Sequence, residues 1–252
     1  MTKIIDINSY FGSWPYWSIE NRDLDQVLSL CGKHGISATC ISSLRAVLLD
    51  WTEGNKETLG AYRDHQEEVI PFMTVSPFWV DNPLDLLEEY YDNGMKGLRL
   101  FPSFQNYSIG TYREFVELIE WANDHRLPIS FSMRLFMNWG LPVANIHDIE
   151  IVAKRAPDSP IIVNGVNWGE IMAVLPLIEK YENVHFGISC LALRRGFNLL
   201  LKTAGPSRVL FGTSLPFQDP GPVLQNVTNL PVKESEVEKI LGGNALRIFD
   251  HI

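Results

Sequence analysis

The chain has 252 residues, 46% hydrophobic and 20% charged, with no low-complexity tract, a composition able to bury a sizeable core. Its formal charge of -9 at pH 7 excludes a general nucleic-acid or anionic-membrane surface, because either needs clustered Lys and Arg. No apolar run approaches the roughly 20 residues that span a bilayer, and no secretory leader pattern opens the chain, so a cytoplasmic protein of one domain over residues 1–252 is expected.

Taken in order, short apolar runs rich in Ile, Val and Phe read as strands: KIIDIN (3–8), ISATCISS (36–43), VIPFMTVS (69–76), GLRLF (97–101), LPISFSM (127–133), PIIVNG (160–165), VHFGIS (184–189) and RVLFGT (208–213). Helical periodicity separates them. In NPLDLLEEYY, Asn82 can cap, Pro83 suits the first helical position, and Leu84, Leu87 and Tyr91 form a stripe. In TYREFVELIEWA, Thr111 and Glu114 have capping-box spacing, and Ser235 and Glu238 repeat it near the end.

Strands too apolar to face water on either side, alternating with helices, predict an α/β fold with a single (β/α)8 TIM-like barrel. A doubly wound open sheet is the competing architecture. No GxGxxG follows the first strand and no GxxxxGK[ST] occurs, which removes the nucleotide-binding versions of that alternative. In a barrel, chemistry belongs at the strand C-termini and the loops that follow.

The three cysteines, Cys31, Cys40 and Cys190, are isolated and form no CxxC pair, which fits reduced buried thiols. Of six histidines, His34, His65 and His125 fall near helix ends, His185 lies early in its strand and His251 is terminal. Only His147 is placed where a top-face loop would put it, near the start of a helix.

Four segments carry a family resemblance. IIDINSYFG (4–12) resembles an opening Asp-x-His-x-His-x-Gly strand, KGLRLFPS (96–103) a fourth-strand region, VLFGTSLPF (209–217) a Gly-Ser-Asp-x-Pro turn, and GGNALRIF (242–249) a terminal Gly-Asn-Ala helix. Their order and spacing are similar to those of the amidohydrolase-related, metal-dependent hydrolases built on a (β/α) barrel. The resemblance implies a metal held by histidines on strands one, five and six and by an aspartate after strand eight, and it suggests a homo-oligomer. Here those positions read Asn8, Tyr10, Ser132, Asn164 and Ser214. Neutral hydroxyl and amide oxygens supply neither the charge nor the donor strength a divalent ion needs, so no metal and no cofactor is expected.

Without metal, the mechanism based on an activated water is lost. The residues left for chemistry are Asp6, which either hydrogen-bonds within its strand or handles protons, and Tyr10, a candidate proton donor. Asn8, Ser132, Asn164 and Ser214 would line the pocket. Arg45, Arg99, Arg134, Arg194 and Arg195 fall in or after strands; two or three converging would bind a small carboxylate or phosphate bidentately. Ordinary salt bridging to Asp50, Glu53, Glu170 and Asp219 is the competing reading. Arg99 and Arg134 are the better placed. Trp14, Trp17, Trp51, Trp79, Trp139 and Trp168 follow strands, with Phe11, Tyr16, Phe78 and Phe217, and would roof a pocket, form an interface or pack on the rim. Three functions are weighed: a metal-independent hydrolase or lyase acting on a small anionic molecule; a noncatalytic binding, sensory or partner protein using the inherited pocket or the aromatic loops; and, last, a conventional metal hydrolase with its ligands at other positions, which no cluster of His, Asp and Glu at strand ends supports.

Overall fold

A computed structural model describes residues 3–76, 82–110, 112–135, 144–191 and 194–250. Eight strands form one parallel sheet in chain order: β1 (Ile4–Phe11), β2 (Ile36–Ser43), β3 (Val69–Thr74), β4 (Gly97–Leu100), β5 (Ile129–Ser132), β6 (Ile161–Asn164), β7 (Val184–Gly187) and β8 (Val209–Leu210). The sheet curls until β1 meets the β8 segment. Ile7 N donates to Phe211 O (3.0 Å), Ser214 N to Asn8 O (2.7 Å) and Tyr10 N to Leu215 O (2.7 Å), so the strand edges that would otherwise lack partners bond to each other.

The helices that cover the barrel include α1 (Leu24–Lys33), α2 (Leu44–Leu48), α3 (Trp51–Asp64), α4 (Pro83–Asp92), α5 (Pro102–Gln105), α6 (Arg113–Asp124), α7 (Ile146–Arg155), α8 (Ile171–Lys180), α9 (Arg194–Ala204), α10 (Pro220–Thr228), α11 (Glu234–Glu238) and α12 (Asn244–Phe249). In α6 the apolar positions Phe115, Leu118, Ile119 and Ala122 share one face, and all four are buried. None of the described helices is long and apolar enough to cross a membrane.

Three helix-start expectations need correction. Asn82 is the N-cap of α4, but its amide donates to Asp85 Oδ2 (2.5 Å) instead of accepting a backbone N–H; the stripe itself holds, with Leu87 buried, Leu84 and Tyr91 partly buried against the same core, and Tyr90 joining them. The helix α6 starts after Tyr112; Thr111 lies outside the described residues. Ser235 is inside α11, whose cap is Lys233, with Lys233 N donating to Glu236 Oε2 (3.0 Å). Acidic residues two apart produce the same spacing in alternative registers. Trp51, read as a loop aromatic, is the first residue of α3 and is buried, behind an Asp50 cap that accepts from Thr52 N and Glu53 N.

Inside the barrel, Ile5, Ile7, Cys40, Phe72, Ile162 and Leu210 pack against Ala245 and Ile248 of α12, closing the N-terminal end. At the opposite end, Tyr10, Trp14, Leu44, Val47, Phe101 and Leu135 cluster across the mouth, and Phe217 leans on them. Between these apolar layers lies a polar one.

Candidate functional site

That polar layer is built from strand ends. The β1–β2 register is irregular between Asp6 and Ser9, which lets two successive β1 residues face inward. Ile7 approaches Gly187 and Gly212, and Asn8 points to the mouth. Asp6 holds this irregularity in place. Its Oδ1 accepts from Asn8 N and from Thr213 N (both 2.9 Å), and its Oδ2 accepts the hydroxyls of Ser9 and Thr213 (both 2.5 Å). The carboxyl thus ties β1 to the chain after β8, and burial pushes its pKa above 3.8 despite four opposing donors.

One layer nearer the mouth, Asn8 Nδ2 donates to Ser189 Oγ (3.1 Å) and Ser214 Oγ (2.9 Å). The Tyr10 hydroxyl donates to Asn8 Oδ1 (2.9 Å), so the Ser132 hydroxyl, 2.6 Å away, supplies the hydrogen to the phenol oxygen. Ser214 reaches this position with a left-handed backbone, φ +63°, a conformation that costs a serine about 1 kcal/mol or more. Asn8, Tyr10, Ser132, Ser189 and Ser214 are all buried. Tyr10 has its pKa raised, by burial first, with the Arg99 charge opposing. Asn164 stands beside the group. Its amide donates to Ser130 Oγ (2.9 Å), and its Oδ1 is buried without a partner.

The two favoured arginines do different things. Arg99 is fully buried, donates to the carbonyls of Ser9 (2.8 Å), Ile7 (3.3 Å) and Cys40 (3.1 Å), and stacks between the rings of Tyr10 and Phe72. It braces the barrel wall. Arg134, just past β5, is 3% exposed, pairs with Glu170 and has its Nε buried without a partner. It sits against Gly165, whose φ of +71° and contact with the Arg134 main chain leave no room for a side chain. Of the remaining candidates Arg45 and Arg195 lie apart, and the Arg194 side chain is outside the description. Arg45 pairs with Glu57 at an exposed site, and Arg195 is exposed at the start of α9.

Ser9, Ser189, Cys190 and Thr213 complete the centre; the sequence reading passes over the three hydroxyl residues and takes Cys190 only as a reduced buried thiol, which it is. Their signal was positional: Ser189 closes the VHFGIS run and Thr213 the RVLFGT run, as Ser132 and Asn164 stand next to last in theirs. Cys190 is an electrostatic neighbour of both Tyr10 and Arg134, and burial raises its thiol pKa. It opens onto a cavity of about 180 Å³ lined also by Trp168, Leu191, Gln218, Pro222 and Val223. Trp168 is 56% exposed above it, on a turn fixed by Gly169 N donating to Asn167 Oδ1 (2.8 Å) and Asn167 N to Glu170 Oε2 (3.1 Å). Trp14 and Phe217 pack edge to face, centroids 5.1 Å apart, so these aromatics fill the rim. Trp79, Trp139, Phe78 and His251 lie outside the described residues.

Among the described residues no group of three or more His, Cys, Asp or Glu side chains could hold a metal ion. The segments outside the description contribute only Asp81 and His251 of those residue types. His147 is exposed at the start of α7.

A family model described as amidohydrolase matches residues 52–251. The chain belongs to the amidohydrolase family. The match begins after β2 and so leaves out the opening strand with Asp6, Asn8 and Tyr10. Among solved structures, a TIM-barrel protein from Bordetella bronchiseptica is 16% identical with a TM-score of 0.76, covering 99% of each chain. The 5-carboxyvanillate decarboxylase of Sphingomonas paucimobilis is 13% identical, TM-score 0.76, with 99% of each chain covered. A 2,6-dihydroxybenzoate decarboxylase complexed with 2,6-dihydroxybenzoate is 15% identical, TM-score 0.74, covering 99% of this chain and 100% of that one. At these identities the likeness is one of fold. No curated protein matches in sequence.

Proposed function

We propose that this amidohydrolase-family protein binds a small carboxylate at the C-terminal mouth of its barrel, with Arg134 as the anion partner, and that its strand-end centre works without a metal. The observation that carries the reading is Arg134 itself, a guanidinium 3% exposed with one carboxylate partner and a buried Nε that has none. A cation so enclosed is tolerated only when paired and hydrogen-bonded. The fold-similar decarboxylase with bound 2,6-dihydroxybenzoate accommodates a carboxylate in the same architecture.

The donors at the ligand positions do not suit a divalent ion. Asn8, Tyr10, Ser132 and Ser214 are neutral, and Asn8, Tyr10, Ser132 and Ser214 already bond to one another or through one another; Asn164 adds one amide oxygen. Replacing that network by a cation would break several buried hydrogen bonds and leave the charge uncompensated. No step of the reading passes through a metal.

Asn8, Ser132, Asn164 and Ser214 then shape the polar floor, and Arg99 holds that floor from behind. Asp6 is read as the clamp of the β1 irregularity, since both its oxygens are taken. One observation favours a catalytic version. The Tyr10 phenol lies between Asn8 Oδ1 and Ser132 Oγ at 2.9 and 2.6 Å, an arrangement through which a proton can be passed to a ligand.

Thermal shifts against a panel of small carboxylates test the binding reading. Stabilisation that Arg134→Ala abolishes supports it, and stabilisation untouched by Arg134→Ala removes it. Elemental analysis of protein purified without chelator should give well below one metal per chain; a stoichiometric metal would overturn the metal-free part. Turnover of a bound carboxylate that is lost in Tyr10→Phe would establish the catalytic version, and affinity without turnover the binding protein.

A further inference from the structure

Arg134 and Glu170 belong to different strand ends, β5 and β6, and meet where a ligand carboxylate would have to sit. Glu170 contributes one oxygen to the guanidinium and uses the other to accept Asn167 N (3.1 Å). It stands at the N-cap position of α8 yet makes no side-chain capping bond there. The turn it closes presents Trp168 over the 180 Å³ cavity on which Cys190, an electrostatic neighbour of Arg134, also opens. We propose that Glu170 is an internal stand-in for the ligand carboxylate, and that an external carboxylate binds Arg134 by displacing it and releasing the 165–170 turn. The inference rests on the carboxylate-site reading above.

The physical reason is charge balance. Arg134 is enclosed enough that it stands without a carboxylate in only a minority of molecules, because a buried charge without its partner is destabilised. Exchanging one carboxylate for another leaves the cation neutralised in the bound state as in the free one, whereas a neutral ligand of the same shape would leave it uncompensated. The site therefore selects anions by refusing uncharged analogues. The unpartnered Nε adds a gain. Glu170 divides its two oxygens between Arg134 and Asn167, but a free carboxylate can turn both toward the guanidinium fork, taking Nε as well. The cavity that Trp168 overhangs lies beside this pair, lined by Leu191, Pro222 and Val223 together with Asp219, and not by Arg134 or Glu170 themselves.

Displacement also makes binding cost the loss of an existing contact, so the affinity of the native chain is reduced by the fraction of molecules in which Glu170 is already withdrawn. Benzoate, a carboxylate with a body of suitable size, and the uncharged benzamide are the probes. Calorimetry should find benzoate bound by Glu170→Gln about tenfold tighter than by the native chain, for an open fraction of about one tenth. Benzamide should bind neither, and Arg134→Ala should bind none. Hydrogen exchange separates displacement from a mere change of charge: in the native chain, benzoate should speed exchange at the Asn167 amide, because the bond to Glu170 opens. That measurement needs no variant and stands if Glu170→Gln folds poorly. Equal benzoate affinity in native and Glu170→Gln protein, or an Asn167 amide unchanged or slowed on binding, overturns the displacement while Arg134-dependent binding keeps the carboxylate site. Benzoate binding that ignores Arg134→Ala, or its absence from folded Glu170→Gln, overturns both.

Discussion

Replacing Asp6 distinguishes a clamp from a catalytic acid. In Asp6→Ala the backbone N–H groups of Asn8 and Thr213 lose their acceptor, and the hydroxyls of Ser9 and Thr213 must redirect. At about 1–3 kcal/mol for each stranded buried donor, the two N–H groups alone cost about 4 kcal/mol, a large part of the roughly 5–15 kcal/mol that holds a domain together. Asp6→Asn should behave differently. Its Oδ1 still accepts both N–H groups, and its Nδ2 can donate to the two hydroxyls, each able to accept. The substitution also removes a carboxyl whose ionised form burial disfavours, so a change within about 1 kcal/mol is expected. The pH dependence gives an independent check. Because the folded pKa is raised above 3.8, the folded chain keeps the Asp6 proton over a window in which the unfolded chain has released it. Stability from this group is full at and below 3.8 and falls as pH rises through the folded value. Urea unfolding of native, Asn and Ala proteins across that window measures all of this. Asp6→Ala within about 1 kcal/mol of native, or Asp6→Asn as damaging as Asp6→Ala, would refute the clamp.

Three further substitutions probe other parts of the argument. His185 is held neutral by burial, with Arg247 and Arg208 adding to the effect, its pKa lowered from 6.5 to about 4; the unfolded chain therefore takes up the proton first as pH falls, and about 3 kcal/mol of stability should be lost between 6.5 and 4. In His185→Asn that acid-side loss should disappear from denaturant titrations, and its persistence would acquit this residue. Gly165→Ala puts a side chain at φ +71° against the Arg134 main chain, and should cost about 2 kcal/mol or more in urea unfolding and abolish carboxylate stabilisation; native-like stability would mean the turn yields. Tyr10→Phe leaves Asn8 Oδ1 without its donor and should lower stability by about 1–2 kcal/mol in chemical denaturation, whereas no loss would show that the buried chain re-forms around it.

The barrel was legible because parallel strands covered on both faces must be apolar along their whole length. Runs such as PIIVNG and RVLFGT therefore announce themselves, and all eight expected strands are found in order. The caps were less legible, since a serine or asparagine followed by an acid is also ordinary helix surface. At the site, Asn8, Tyr10, Ser132, Asn164 and Ser214 come together at the mouth, with Asn8 at their centre and Asn164 to one side. What sequence could not carry was the bonding among them. Ser189 and Thr213 are small hydroxyl residues in strand-end positions, with no periodicity or charge to distinguish them, and they matter only because the closed barrel brings β7 and β8 beside β1.

The arginines show the same limit more sharply, and they bear on where function resides. Arg99 and Arg134 are each expected at a strand end and aimed inward, yet one meets three main-chain carbonyls and the other a single carboxylate. Backbone carbonyls are partial charges fixed by the sheet, so Arg99 cannot be relieved of them without opening the wall. A glutamate on a turn is a full charge on a movable arm, and another carboxylate can replace it. Asn8, Tyr10, Ser132 and Ser214 are neutral and bonded to one another, and they offer an incoming anion little that it lacks in water. The enclosed charge pair that another carboxylate could exchange with is Arg134 and Glu170, between β5 and β6. On the carboxylate-site proposal, an incoming anion is therefore met at this one flank and not on the barrel's central axis.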